Sequence, residues 1–66
     1  MTVTVNGDAV GLADDATVAA LLAKLELAGD KVAVERNRQI VSRTVWDHTN
    51  LQQGDVLEIV HFVGGG

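Results

Sequence analysis

The chain has 66 residues, 47% of them hydrophobic, a net charge of −4 and no cysteine. That length holds one small core and no second one, and without cysteine there can be no disulfide, no thiolate metal site and no side-chain persulfide. The acidic balance argues against a nucleic-acid binder, and no apolar run approaches the ~20 residues that span a bilayer.

The first five residues alternate apolar and β-branched polar side chains, which predicts a strand with Val3 and Val5 on one face. Asn6-Gly7-Asp8 is a strong hairpin signal, because Asn and Gly tolerate positive φ, and Ala9–Leu12 returns as a short second strand. Asp14, Asp15 and Thr17 then precede Val18, Leu21, Leu22 and Leu25, the i, i+3, i+4, i+7 stripe of a helix of about two and a half turns. Thr17 or Asp15 is expected to cap it, Lys24 to sit at its negative end and Gly29 to stop it. So short a helix needs a sheet to lie against.

Lys31–Glu35 reads as a third strand, Asn37-Arg38-Gln39 as a tight turn and Ile40–Ser42 as its partner strand. Arg43–Asn50 lacks clean periodicity and is expected to be irregular with one helical turn, anchored by Leu51. After the turn Gln53-Gly54-Asp55, Val56–Val63 is apolar at nearly every position. That predicts a central strand beside the first, covered on both faces. The order hairpin, helix, hairpin, irregular segment, strand is met by one sheet wrapped over one helix.

Candidates for chemistry are few. Asp47-His48 suggests a catalytic pair, but adjacent residues seldom present side chains to one another, so a solvated loop is expected; His61 reads as a surface residue and Trp46 as a filler at the core edge. Lys31, Arg36, Arg38 and Arg43 fall within thirteen positions and read either as a solvated face or as a docking patch. With one helix for one sheet, Val60 and Phe62 are expected to be partly exposed on the far face, unless the segment around Trp46 covers them. Val63-Gly64-Gly65-Gly66 follows directly on the last strand. Glycine lacks Cβ, so such a tail can enter a narrow channel and bend freely, and fully extended it would project a carboxylate on the order of 13 Å. Neither a nucleophile, a metal set nor a phosphate loop marks the chain as an enzyme.

In this order the pieces resemble the ubiquitin-like β-grasp proteins, and more narrowly the ThiS family of sulfur carriers of thiazole (thiamine) biosynthesis. The residues that carry the likeness are Asn6-Gly7, Val32–Glu35 with Asn37, Ile40-Val41 with Arg43, Leu51, Gly54-Asp55, Glu58–Val60 and the closing Val63–Gly66. They span essentially the whole chain. Ser42 stands where that family often has proline, and Phe62 where a small residue is usual.

The resemblance implies an α+β fold, a mixed four- to five-stranded sheet on one helix, with residues 1–63 as the domain and 64–66 as a flexible tail. It implies that an E1-like adenylyltransferase activates Gly66 with ATP and Mg²⁺. A persulfide donor protein then supplies sulfur to make a C-terminal thiocarboxylate, and a thiazole synthase receives it. Gly64 and Gly65 would supply reach, and Val60, Phe62 and Val63 are candidate partner-binding residues. The carrier would hold no cofactor or metal of its own, act as a substrate and not as an enzyme, bind neither nucleic acid nor membrane, and work in the cytoplasm. Three alternatives remain open: a carrier for molybdopterin synthesis, a ubiquitin-like modifier joined through Gly66, and a plain β-grasp interaction domain with an inert tail.

Overall fold

Alternation at the N-terminus and the helical stripe that follows it produce the expected elements. A computed structural model describes residues 1–27 and 31–62. In chain order it has β1 (Thr2–Val5), β2 (Asp8–Gly11), α1 (Val18–Lys24), β3 (Val32–Arg36), β4 (Gln39–Ile40), a 3₁₀-helix (Arg43–His48) and β5 (Val56–His61). The sheet order is β2-β1-β5-β3-β4. β5 is therefore central, parallel to β1 and antiparallel to β3. One helix across a five-stranded mixed sheet is the β-grasp architecture.

Asn6 and Gly7 both take positive φ, 49° and 89°, so β1 and β2 meet in the two-residue turn that Asn-Gly favours. The second hairpin is built alike: Asn37 and Arg38 take φ of 49° and 73°, although neither is glycine. β4 is only Gln39–Ile40, shorter than the expected Ile40–Ser42, although the Val41 N–H still reaches the Val34 carbonyl at 2.9 Å.

Thr17 is the helix cap, its Oγ1 accepting from the Ala20 N–H at 3.1 Å. Val18, Leu21 and Leu22 are buried and pack into one cluster with Val3, Val5, Val34, Leu57 and Ile59. Leu21 and Leu57 are fully buried, and each such side chain contributes about 1.5–3 kcal/mol. Trp46 and Leu51 close the cluster on the 3₁₀ side, Leu51 as the expected anchor. The Trp46 indole N–H donates to the Val41 carbonyl at 3.0 Å, so its one polar atom is satisfied at the core edge.

Two expectations need correction. Gly29 is not the helix stop: α1 ends at its cap Leu25, where Glu26 takes φ of 59°. The Leu27 N–H then bonds the Leu22 carbonyl (2.8 Å) and the Glu26 N–H the Ala23 carbonyl (3.1 Å), a left-handed cap usually given to glycine. Gly29 itself lies outside the described residues. Glu26→Gly is expected to stabilise the fold by about 0.5–1 kcal/mol, because Glu26 is exposed and its left-handed backbone is strained; a higher urea midpoint is the check.

The second correction concerns β5, which is covered on one face only. Leu57 and Ile59 are buried beneath α1, whereas Val56, Glu58 and Val60 are exposed on the opposite face. The strand has β1 and β3 at its sides, but α1 shields one surface of the sheet.

Candidate functional site

β5 leads toward the tail, so the groups that hold it in place define the site. Two asparagine side chains do this directly, each where the regular ladder runs out, and Asp55 anchors one of them. Beyond the β1–β5 pairs Thr4–Val56 and Val5–Leu57, the Asn6 N–H bonds the Leu57 carbonyl at 2.9 Å and β1 turns away. The Asn6 side-chain amide then stands in for the next peptide unit. Its Nδ2 donates to the Ile59 carbonyl (2.9 Å), and its Oδ1 accepts from the Ile59 N–H (2.8 Å).

Asn37 repeats the device at the other end of β5, on the β3 side. Its backbone N–H bonds the Val56 carbonyl at 2.8 Å, and its Oδ1 accepts from the Val56 N–H at 3.0 Å. Its Nδ2 donates to Asp55 Oδ1, also at 3.0 Å. Asp55 Oδ2 accepts from Arg36 Nε and from the Gln52 N–H, both at 2.8 Å. Asp55 is 7% exposed, so this is a paired charge inside the fold. Burial pushes its carboxyl up, but the bonds from Asn37, Gln52 and Arg36 together with the Arg36 charge outweigh that and hold it below the usual carboxylate value.

The outer face of the sheet carries the exposed apolar residues. Val60 is 52% and Phe62 56% exposed, with Val56 and Ile40 also open to solvent. Trp46 packs on the helix side of the sheet and does not cover them. Glu35 and Glu58 stand directly opposite one another on this face, in a depression of about 430 Å³ bordered by Arg38 and Val56. On the other side of the molecule, Ala19, Leu22, Ala23 and Leu27 form a groove of about 380 Å³ with Trp46, Arg43 and Asp47.

The basic residues do not converge on one patch. Arg36 turns inward to Asp55, Arg38 borders the outer depression and Arg43 lies at the groove beside Trp46. Asp47, His48 and His61 are exposed. Among the described residues no group of three His, Cys, Asp or Glu side chains could hold a metal ion, and no helix is long and apolar enough to cross a membrane. Val63, Gly64, Gly65 and Gly66 lie outside the described residues.

Val60 and Phe62 lie at the surface, one of the two readings the sequence left open, whereas the part played by Asp55, which read as a turn residue, was missed. Asn6 and Asn37 read as turn formers, and their clamps on β5 were missed as well. An asparagine required at positive φ beside a strand end was the available signal.

Comparison with known proteins places the sequence and the fold in one family. The sequence model of the ThiS family matches residues 3–66. The sulfur carrier protein ThiS of Bacillus subtilis is 45% identical over 53 residues, covering 80% of each chain. A thiazole synthase of Magnetococcus marinus is 42% identical over all 66 residues, but the match covers 20% of that protein. A thiazole synthase of Paramagnetospirillum magneticum gives the same figures, so the chain spans about a fifth of the length of these curated relatives. The crystal structure of a thiamine biosynthesis protein (ThiS) from Geobacter metallireducens superposes with a TM-score of 0.81 at 36% identity, covering 100% of both chains. With its five-stranded β-grasp sheet and a family match running from residue 3 to residue 66, the chain belongs to the ThiS family.

Proposed function

We propose that this chain is a sulfur carrier for thiazole formation in thiamine biosynthesis, with the carboxylate of Gly66 as the point of attachment. The observation that carries the reading is the family match extending through residue 66, so that it includes the glycine tail. The likeness to the Bacillus subtilis carrier supports it further.

A carboxylate is a poor electrophile. In the proposed cycle an E1-like adenylyltransferase using ATP and Mg²⁺ converts Gly66 to an acyl-adenylate, releasing pyrophosphate. The terminal sulfur of a donor persulfide attacks the acyl carbon and AMP leaves with the bonding pair. Cleavage of the resulting S–S bond by a thiol reductant leaves the thiocarboxylate. A thiazole synthase in the same compartment, the cytoplasm, then receives the sulfur. Alignment of the entire chain with one fifth of two proteins named thiazole synthase supports that enzyme as the acceptor. The carrier supplies no acid, base or metal of its own; its work is presentation.

Presentation requires a surface for the partner to hold. Val60 and Phe62 are assigned to that surface because large apolar side chains exposed together favour burial against a partner, and Val63 is added to them on its place in the sequence alone. Phe62→Asp is expected to weaken binding to the adenylating partner about tenfold or more. Its thermal midpoint should change little, since Phe62 is solvent-exposed in the folded chain. Titration calorimetry giving equal affinities would remove Phe62 from the interface.

The reading as a whole is tested by intact mass. The protein is incubated with ATP, Mg²⁺, a cognate adenylating enzyme and a persulfide donor. A gain equal to one oxygen replaced by sulfur, localised to Gly66, is expected. If no adenylate or thiocarboxylate forms, the carrier reading fails and an interaction domain with an inert tail takes its place.

A further inference from the structure

Asn6 joins two properties that are independent of sulfur carriage. It precedes glycine, and its side-chain amide holds both the N–H and the carbonyl of Ile59. We propose that Asn6 is a spontaneous deamidation site whose reaction is gated by opening of its clamp on β5, and that modification there loosens β1 from the central strand.

The chemistry needs only water. The Gly7 backbone nitrogen attacks Asn6 Cγ; the N–Cγ bond forms and the Cγ–Nδ2 bond breaks. Ammonia leaves, taking up the proton lost by the Gly7 nitrogen, and a five-membered succinimide remains. Water then opens the ring at one carbonyl or the other, giving aspartate or isoaspartate. Gly7 has no side chain to hinder the attacking nitrogen, and Asn6 is exposed to solvent.

Two other asparagines serve as internal comparisons. Asn37 has the same φ of 49° and a similar clamp on Val56, but Arg38 follows it. Asn50 donates to the Asp15 carbonyl and is followed by Leu51. In both, a side chain on the next residue crowds the attacking nitrogen, which leaves Asn6 as the labile position.

The folded state opposes the reaction. Attack makes Cγ tetrahedral and expels Nδ2, so the planar amide that bridges Ile59 is lost in the first step, along with bonds of 2.9 and 2.8 Å. Reaction therefore proceeds from molecules in which the clamp has opened. The product cannot close it again: a carboxylate has no donor for the Ile59 carbonyl and sets negative charge against it. Isoaspartate also adds a main-chain carbon to a two-residue turn.

The test compares the folded chain with the same chain unfolded in urea, at one pH and temperature, by peptide mass spectrometry of the three asparagines. In the unfolded chain Asn6 is expected to deamidate fastest of the three. Folding is expected to slow Asn6 at least about tenfold, the factor set by the free energy of local opening. Equal rates in the folded and unfolded chains would overturn the gating, and an Asn6 rate no faster than Asn37 and Asn50 in urea would overturn the site. The consequence is read separately on Asn6→Asp, for which a lower urea midpoint is expected; an unchanged midpoint would overturn the claim that modification loosens the sheet.

Discussion

Asp55→Ala is expected to destabilise the fold by about 2–4 kcal/mol, as removing one partner of a buried, hydrogen-bonded charge pair does. Three donors lose their acceptor at once: Arg36 Nε, Asn37 Nδ2 and the Gln52 N–H. The Arg36 side chain is 25% exposed and can recover some water, which keeps the effect below the extreme for a fully enclosed ion. A domain of this size commonly has only about 3–5 kcal/mol in total. Much of the variant would therefore be unfolded, as read by circular dichroism and urea titration. A midpoint like that of the unmodified chain would show that the network is dispensable.

The same carboxyl gives a dependence on pH whose sign is determined. Its folded pKa lies below the ordinary value of 3.8, so the unfolded chain binds the proton first. The stabilisation is fully present above the unfolded value and is lost as pH falls through the folded one. The urea midpoint should therefore drop on acidification below about pH 4. Asp55→Asn separates charge from shape: all three neighbours are donors, so an amide loses at least one bond. The variant should start from a lower midpoint and show a weaker acid dependence than the parent. Parallel curves would move the acid sensitivity to other groups.

The larger functional effect belongs to the tail. In the proposed cycle, removing Gly66 leaves the carboxylate of Gly65 up to about 3.3–3.6 Å short of its place in the adenylating site. Misplacement of a reacting atom by as little as ~1 Å can cost about 10²-fold in rate, so thiocarboxylate formation should fall by at least that factor. The fold should not change, because the core is built from residues between Val3 and Ile59. Full-rate adenylation on Gly65, with mass spectrometry placing sulfur there, would contradict the assignment of Gly66.

Much of the architecture was legible in local pattern. Val3 and Val5 alternate with threonines, Val18, Leu21 and Leu22 recur at helical spacing, and Asn6-Gly7 marks a turn, each within a few neighbouring residues. The centrality of β5 also followed, since the longest apolar run has most to gain from neighbours on both sides. Gly29 misled because glycine is the usual residue at a helix stop, whereas Glu26 took the left-handed position just after α1. The covering of β5 was misjudged for another reason: the apolar run does not say how many layers the fold supplies. Exposure of Val60 and Phe62 followed only from counting one helix against one sheet.

What the chain determined by itself was thus the element order, a helix start capped at Asp15 or Thr17, the inward faces of β1 and α1, and the family likeness that draws attention to Gly66. What only the tertiary structure decided was the use of Asn6, Asn37 and Asp55. Asn6 meets Ile59 across 53 residues of sequence, and Asp55 meets Arg36 across 19. Propensity and periodicity act over a turn or two, while a hydrogen bond across such separations depends on strand order and register. Those exist only once the sheet has closed around β5.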